Sequence, residues 1–111
     1  MTENDTFHFE IAALTANLNH QVPITQDMKQ QIGRNNVFDT LIFYNGSDKL
    51  YMIQINNNAQ ERFPAPANGG RVVWDKEDNI KFSSVQIIEM TGANATGTSY
   101  LTVARKEKNG A

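Results

Sequence analysis

The stretch FDTLIFYNGSDKLYMIQI, residues 38–55, constrains the fold more than any other. Two apolar, β-branched and aromatic runs flank Asn45-Gly46, a dipeptide whose residues both accept positive φ cheaply and so favour a tight reversal. The pattern predicts a strand over 37–44, a turn through NGSD and an antiparallel partner strand over 49–56. With an even loop, Phe38, Ile42 and Tyr44 share a face with Tyr51, Ile53 and Ile55, and this is the expected core face. The opposite face is apolar only at the tip, where Leu41, Phe43, Leu50 and Met52 gather, and turns polar at Asp39, Gln54 and Asn56. An odd loop mixes the two sets but leaves both faces partly apolar. A sheet with one solvated side alternates more cleanly. Large side chains left in water forgo roughly 1.5–3 kcal/mol each, so the tip calls for a cover. Three covers are open. One is the chain's own N-terminal layer, through Met28 and Ile32 or Phe7 and Phe9. Another is a second subunit, which would make the tip an assembly surface. The last is a small molecule or glycan bound at the tip.

The rest of the chain reads mainly as strands. FHFEIAAL begins with strict alternation, Phe7, Phe9 and Ile11 against His8 and Glu10. TANLNHQVP is polar and loop-like. In ITQDMKQQIG, Thr25 is a candidate N-cap, Ile24, Met28 and Ile32 recur at helical spacing and Gly33 supplies a stop, so one short helix is expected. ERFPAPANGG carries prolines and paired glycines that preclude a regular central strand. RVVWD is a short strand, IKFSSVQIIEM is β-rich with a break near Ser83-Ser84, and TSYLTVAR is the last strand. Asparagine is abundant, and asparagine favours turns and left-handed backbone over helix interiors. About seven short strands between frequent turns predict an all-β chain, a single β-sandwich or jelly-roll-like domain with one short N-terminal helix. Residues 1–35 are expected to form an arm or accessory layer, 36–105 the β-core and 106–111 a polar tail.

At 111 residues the chain is expected to bury one core in one domain. It has no cysteine, so packing alone must hold the fold. A net charge of −2 gives no basic footprint for nucleic acid, and Arg105, Lys106 and Lys108 read as a solvated tail. No run is long and apolar enough for a membrane span, and the start MTENDTFHFE has no signal-peptide character.

Motifs of catalysis are lacking. His8 and His20 have no metal-ligand spacing, the serines sit in no GxSxG elbow, and a cysteine nucleophile is impossible. The acidic cluster DKED reads as a solvated turn rather than a calcium loop. Asn4-Asp-Thr, Asn45-Gly-Ser and Asn94-Ala-Thr fit the glycosylation pattern, as chance allows in a chain rich in Asn, Ser and Thr. No enzyme, metal or cofactor is expected. Trp74, Tyr51 and Tyr100 lie on strands, where exposed aromatics can form a platform for sugar rings and buried ones simply pack.

Over residues 36–105, the strand entering N-G-S, the strand ending in Asn residues, the loop PAPANGG and then IKFSSVQI resemble small β-sandwich structural proteins of bacteriophage virions. The resemblance implies a minor capsid, decoration or spike-associated protein, made in the host cytoplasm and located in the virion. Its partners would be other virion proteins or copies of itself, with no nucleic acid and no catalytic residues. The expected contact residues are Leu41, Phe43, Leu50 and Met52 as a packing patch, and Phe63, Pro64, Pro66 and Trp74 as a contact loop with its anchor. The alternative is a carbohydrate- or receptor-binding β-sandwich module.

Overall fold

Alternation at the start of the chain forms β1 (Thr6–Ile11), with Phe7 and Ile11 buried and His8 and Glu10 exposed. In the computed structural model, which describes residues 5–32 and 37–106, it is followed by β2 (Asn19–Gln21) and α1 (Gln26–Gln31). The Thr25 hydroxyl caps α1 by accepting from the Met28 amide at 3.2 Å, as the sequence predicts. Ile24, Met28 and Ile32 turn towards the core. Gly33, the expected stop, lies outside the described residues. The chain continues through β3 (Thr40–Asn45), β4 (Tyr51–Ile55), β5 (Arg62–Ala65), β6 (Gly70–Trp74), β7 (Val85–Glu89) and β8 (Ser99–Ala104).

These strands form two four-stranded antiparallel sheets, ordered β1-β8-β3-β6 and β2-β7-β4-β5. The described residues thus hold eight strands rather than about seven. β2 and β5 are the additions, while Phe82 contributes only an isolated bridge to Phe38. β5 contains Pro64 and lies at a sheet edge, where a missing N–H costs no ladder bond. β1 and β2 are edge strands of the two sheets, paired with β8 and β7. Within the described residues 5–32, β1 and β2 are thus built one into each sheet.

The quoted stretch is not a hairpin. β3 and β4 belong to different sheets and do not pair. The chain crosses from one sheet to the other over residues 46–50, and the corner is held by the buried Asn45 side chain. Its amide donates to the carbonyls of Lys49 (2.9 Å) and Ala65 (2.7 Å), and its oxygen accepts from the Ser47 amide and hydroxyl. Gly46 passes so close to the 97–99 loop that a Cβ there would lie 2.0 Å from the Thr98 carbonyl oxygen. Asn45 is fully buried, so its glycosylation pattern is a chance match.

One core cluster draws on both sheets: Phe7, Leu41, Phe43, Trp74, Leu101 and Val103 from the first, and Tyr51, Ile53, Ile55, Val85 and Ile87 from the second. Phe43 meets Tyr51 at 6.4 Å between ring centroids, and Trp74 meets Phe63 at 4.8 Å. Burying such side chains, at roughly 1.5–3 kcal/mol each, supplies the cohesion that a chain without disulfides needs.

Just beyond β8, Arg105 forms a buried ion pair with Asp39, 3.9 Å from carboxylate to guanidinium Nε. Arg105 also donates to the Val37 carbonyl, and Asp39 accepts from Thr40 and the Lys106 amide. Arg105 is thus a structural residue and not part of a solvated tail. Lys108 lies outside the described residues.

Candidate functional site

The crossing at Asn45 decides which side of β3 meets solvent. Leu41 and Phe43 point into the core and are fully buried, whereas Ile42 and Tyr44 point out. This reverses the expected face assignment, and the physical reason is the five-residue passage between sheets. Residues on β4 share the core with Leu41 and Phe43 from the opposite side, not from a neighbouring strand.

Leu41 and Phe43 are thus covered by the chain itself and are unavailable as an assembly patch. Leu50 is exposed and Met52 half-buried, on the other sheet's side of the crossing. Trp74 is buried, and Phe63 packs on it from β5, so this pair is an internal contact. Pro64 and Pro66 are exposed, with Pro64 opposite Met52 in the ladder. The eight expected contact residues are therefore split between core and surface. Tyr51 is also buried, its hydroxyl accepting from the Leu14 amide, so of Trp74, Tyr51 and Tyr100 only Tyr100 is open to a ligand.

The outer faces of the two sheets differ in chemistry. On the second sheet, Gln21, Gln86, Gln54 and Arg62 form a continuous amide ladder with links of 3.2, 3.2 and 2.8 Å. Gln54 and Gln86 are buried within it, and their hydrogen-bonding groups are used internally.

On the first sheet the outward residues fall into two rows. One runs His8–Thr102–Ile42–Val73 and the other Glu10–Tyr100–Tyr44–Arg71. Ile42, Tyr44, Val73 and Tyr100 are 44, 37, 59 and 52% exposed, among the largest apolar exposures in the described chain. The rings of Tyr44 and Tyr100 lie 6.5 Å apart with 31° between their planes. The Arg71 guanidinium sits 5.8 Å from the Tyr44 ring centre, and His8 shares a 2.9 Å hydrogen bond with Thr102. The face thus has an apolar centre at Ile42, Tyr44, Val73 and Tyr100 between polar ends at His8, Glu10 and Arg71.

Sequence reasoning missed this face because the turn cue implied in-plane pairing. The signal was present: in SYLTVA, Leu101 and Val103 alternate with Tyr100 and Thr102, and in RVVW, Val72 and Trp74 alternate with Arg71 and Val73.

At the end of β7 the buried Glu89 carboxylate collects donors from two loops. It accepts from the amides of Asn17 (3.1 Å), Thr91 (2.7 Å) and Gly92 (2.8 Å) and from the Thr91 hydroxyl. Burial pushes its pKa up, but the bonds from Thr91, Asn17 and Gly92 outweigh it and hold the group at about 2. Its donors come from the loop before β2 and the loop after β7, so it ties the two together as a structural latch. Among the described residues no three His, Asp or Glu side chains are grouped to hold a metal ion, and no helix is long and apolar enough to cross a membrane.

No protein-family model matches the chain, and neither any curated protein nor any solved structure matches it.

Proposed function

We propose that the chain is a jelly-roll β-sandwich that serves as a structural protein of a virion, acting by contact and not by catalysis. Nested pairing supports the fold reading: β1 with β8, β2 with β7, β3 with β6 and β4 with β5. A long antiparallel ribbon rolled over so that its strands alternate between two layers gives this order, which is the double Greek key of jelly rolls. A fold of this kind hosts many functions, so the function rests on the surface. The observation that carries it is the exposed apolar face of the first sheet, on the central strands β3 and β8 and the edge strand β6. The expected role is a minor capsid, decoration or spike-base component.

Co-sedimentation tests this reading. The purified chain is mixed with shells assembled from the major shell protein of the same genome, and pellets are compared with those of an Ile42→Glu/Val73→Glu variant. Retention of the wild type but not of the variant is expected. A wild type left wholly in the supernatant, and monomeric on its own, removes the reading.

Tyr44 and Tyr100 favour a second reading, a carbohydrate- or receptor-binding module. Their neighbouring exposed rings, flanked by Glu10 and Arg71, resemble a platform on which a sugar ring could stack. Titration with oligosaccharides, read by the ring resonances of the two tyrosines, distinguishes it. Shifts that saturate support this reading, and silence across a broad glycan panel ends it.

A further inference from the structure

The polar ends of the exposed face carry opposite charges. In the row Glu10–Tyr100–Tyr44–Arg71 the acid lies on edge strand β1 and the base on edge strand β6, with the two tyrosines between them. Among the described residues neither Glu10 nor Arg71 forms an ion pair. Both are exposed. The second row carries no acid, lysine or arginine and runs from His8 through Thr102 and Ile42 to Val73.

We propose that this face is a two-fold interface between two copies of the chain, with Glu10 of each copy over the partner's Arg71. The inference rests on the assembly reading above and names its first partner. The symmetry follows from the row itself. A two-fold axis running along the strands, midway between β8 and β3, turns one face onto the other and reverses the order across the strands. Tyr100 then meets the partner's Tyr44, Thr102 meets the partner's Ile42, His8 meets the partner's Val73, and the acid and base meet at both rims. No like charges face each other. Stacked sheets lie about 10 Å apart, a gap that extended Glu and Arg side chains span together. A closed isologous contact of this kind ends at the dimer, because each copy uses the same patch that it occupies on the other. The partner met by this face in the assembly is therefore a second copy, and Ile42→Glu/Val73→Glu loses shell retention by losing the pairing.

The size of the patch sets the strength. Four strands spaced at ~4.8 Å, with about six residues each at ~3.4 Å, present about 400 Å² per copy, so the pair covers on the order of 800 Å². That lies at the weak end of specific interfaces, and a dissociation constant on the order of 100 µM is expected for the isolated chain. Such a dimer forms where the local concentration is high, as on a lattice that holds neighbouring copies in place.

Sedimentation velocity over a concentration series tests the proposal, using the wild type, Glu10→Lys, Arg71→Glu and the double variant, with Trp74 fluorescence as the check on folding. Each single charge reversal turns both rim contacts repulsive and is expected to weaken the dimer about ten-fold, since both pairs change sign together. The double variant, and a one-to-one mixture of the two single variants, restore opposite charges at both rims and are expected to recover wild-type association. A wild type that stays monomeric up to about 1 mM, ten times the expected constant, overturns the proposal. So does a dimer that is indifferent to the single reversals, or one that the mixture and the double variant fail to rescue. Each of these results leaves shell binding to be decided by co-sedimentation, so the two claims fail separately.

Discussion

Replacing Glu89 with glutamine removes a charge while keeping the shape of the side chain. Each carboxylate oxygen is already committed: one accepts from the Asn17 and Gly92 amides, the other from the Thr91 amide and hydroxyl. A glutamine turns one of these oxygens into a donor, so whichever way it faces at least one backbone N–H loses its acceptor, at about 1–3 kcal/mol. The charge itself contributes separately. A carboxyl held at about 2 instead of 4.5 stabilises the fold by roughly 3 kcal/mol at neutral pH. Only two surface loops cover it, so solvent screening trims that figure to about 2 kcal/mol. These two contributions overlap, because the lost bonds are part of what depresses the pKa. A total of about 2–4 kcal/mol is expected. The sign of the pH dependence follows from the lowered value. The stabilisation is fully present above 4.5 and is lost as pH falls from there through about 2. Urea unfolding followed by fluorescence of Trp74, the one tryptophan and a buried one, measures both effects. The gap between wild type and Glu89→Gln should be widest at pH 7, and by pH 3 more than half of the charge-dependent part should be gone. A gap that is absent at pH 7, or one that stays constant down to pH 3, refutes the latch.

Asn45→Ala removes the buried partner of the Ala65 carbonyl and the Ser47 amide, while the Lys49 carbonyl keeps its bond from the Ser47 hydroxyl, and should cost about 3 kcal/mol in the same urea assay. A cost below about 1 kcal/mol would mean that the corner is held by other contacts. Asp39→Ala takes the carboxylate away from the buried Arg105 guanidinium, which keeps its bond to the Val37 carbonyl, and breaking a buried pair of this kind should cost about 3 kcal/mol. Replacing both partners by apolar residues of matching volume should recover much of that loss, and a double variant no better than the single would contradict the pairing.

The parts of the fold that were legible in the sequence are those decided by neighbours along the chain. Thr25 caps α1 because a hydroxyl three residues before Met28 reaches its amide. Phe7 and Ile11 are buried because a strand alternates. Asn17, Asn56, Asn57, Asn68 and Asn79 all adopt positive φ, which explains the abundance of asparagine between strands. What stayed hidden depends on residues far apart. β2 reads Asn-His-Gln and has no apolar pattern; it is a strand only because β7 offers it a ladder. Asn45-Gly46 signals a reversal, but whether the next strand pairs in plane or crosses to a second layer is settled by Ala65, Thr98 and Ser99. That single unknown inverted the faces of β3. It moved Leu41 and Phe43 into the core and placed Ile42 and Tyr44 outside.

This inversion bears on how the outer face should be understood. Leu41, Phe43 and Trp74 are apolar because the core requires it, and their burial accounts for them completely. Ile42, Tyr44, Val73 and Tyr100 have no such account. A strand keeps its inward side chains, its ladder and its register when the outward ones are threonine or serine, as Thr102 between His8 and Ile42 illustrates. Strand propensity favours β-branched and aromatic residues at such positions by no more than about 1 kcal/mol, and threonine satisfies it as well as valine does. Adjacent exposed positions on three neighbouring strands therefore carry large apolar groups that folding does not demand. On the second sheet the hydrogen-bonded row Gln21–Gln86–Gln54–Arg62 lies beside the row Asn19–Ile88–Met52–Pro64, in which Ile88 is buried and Met52 half-buried. The two faces are made of the same backbone under the same constraints. On the central strands of the second sheet the outward groups are covered or hydrogen-bonded within the chain, whereas on the first they stand open, and an open apolar face is what an assembly contact needs.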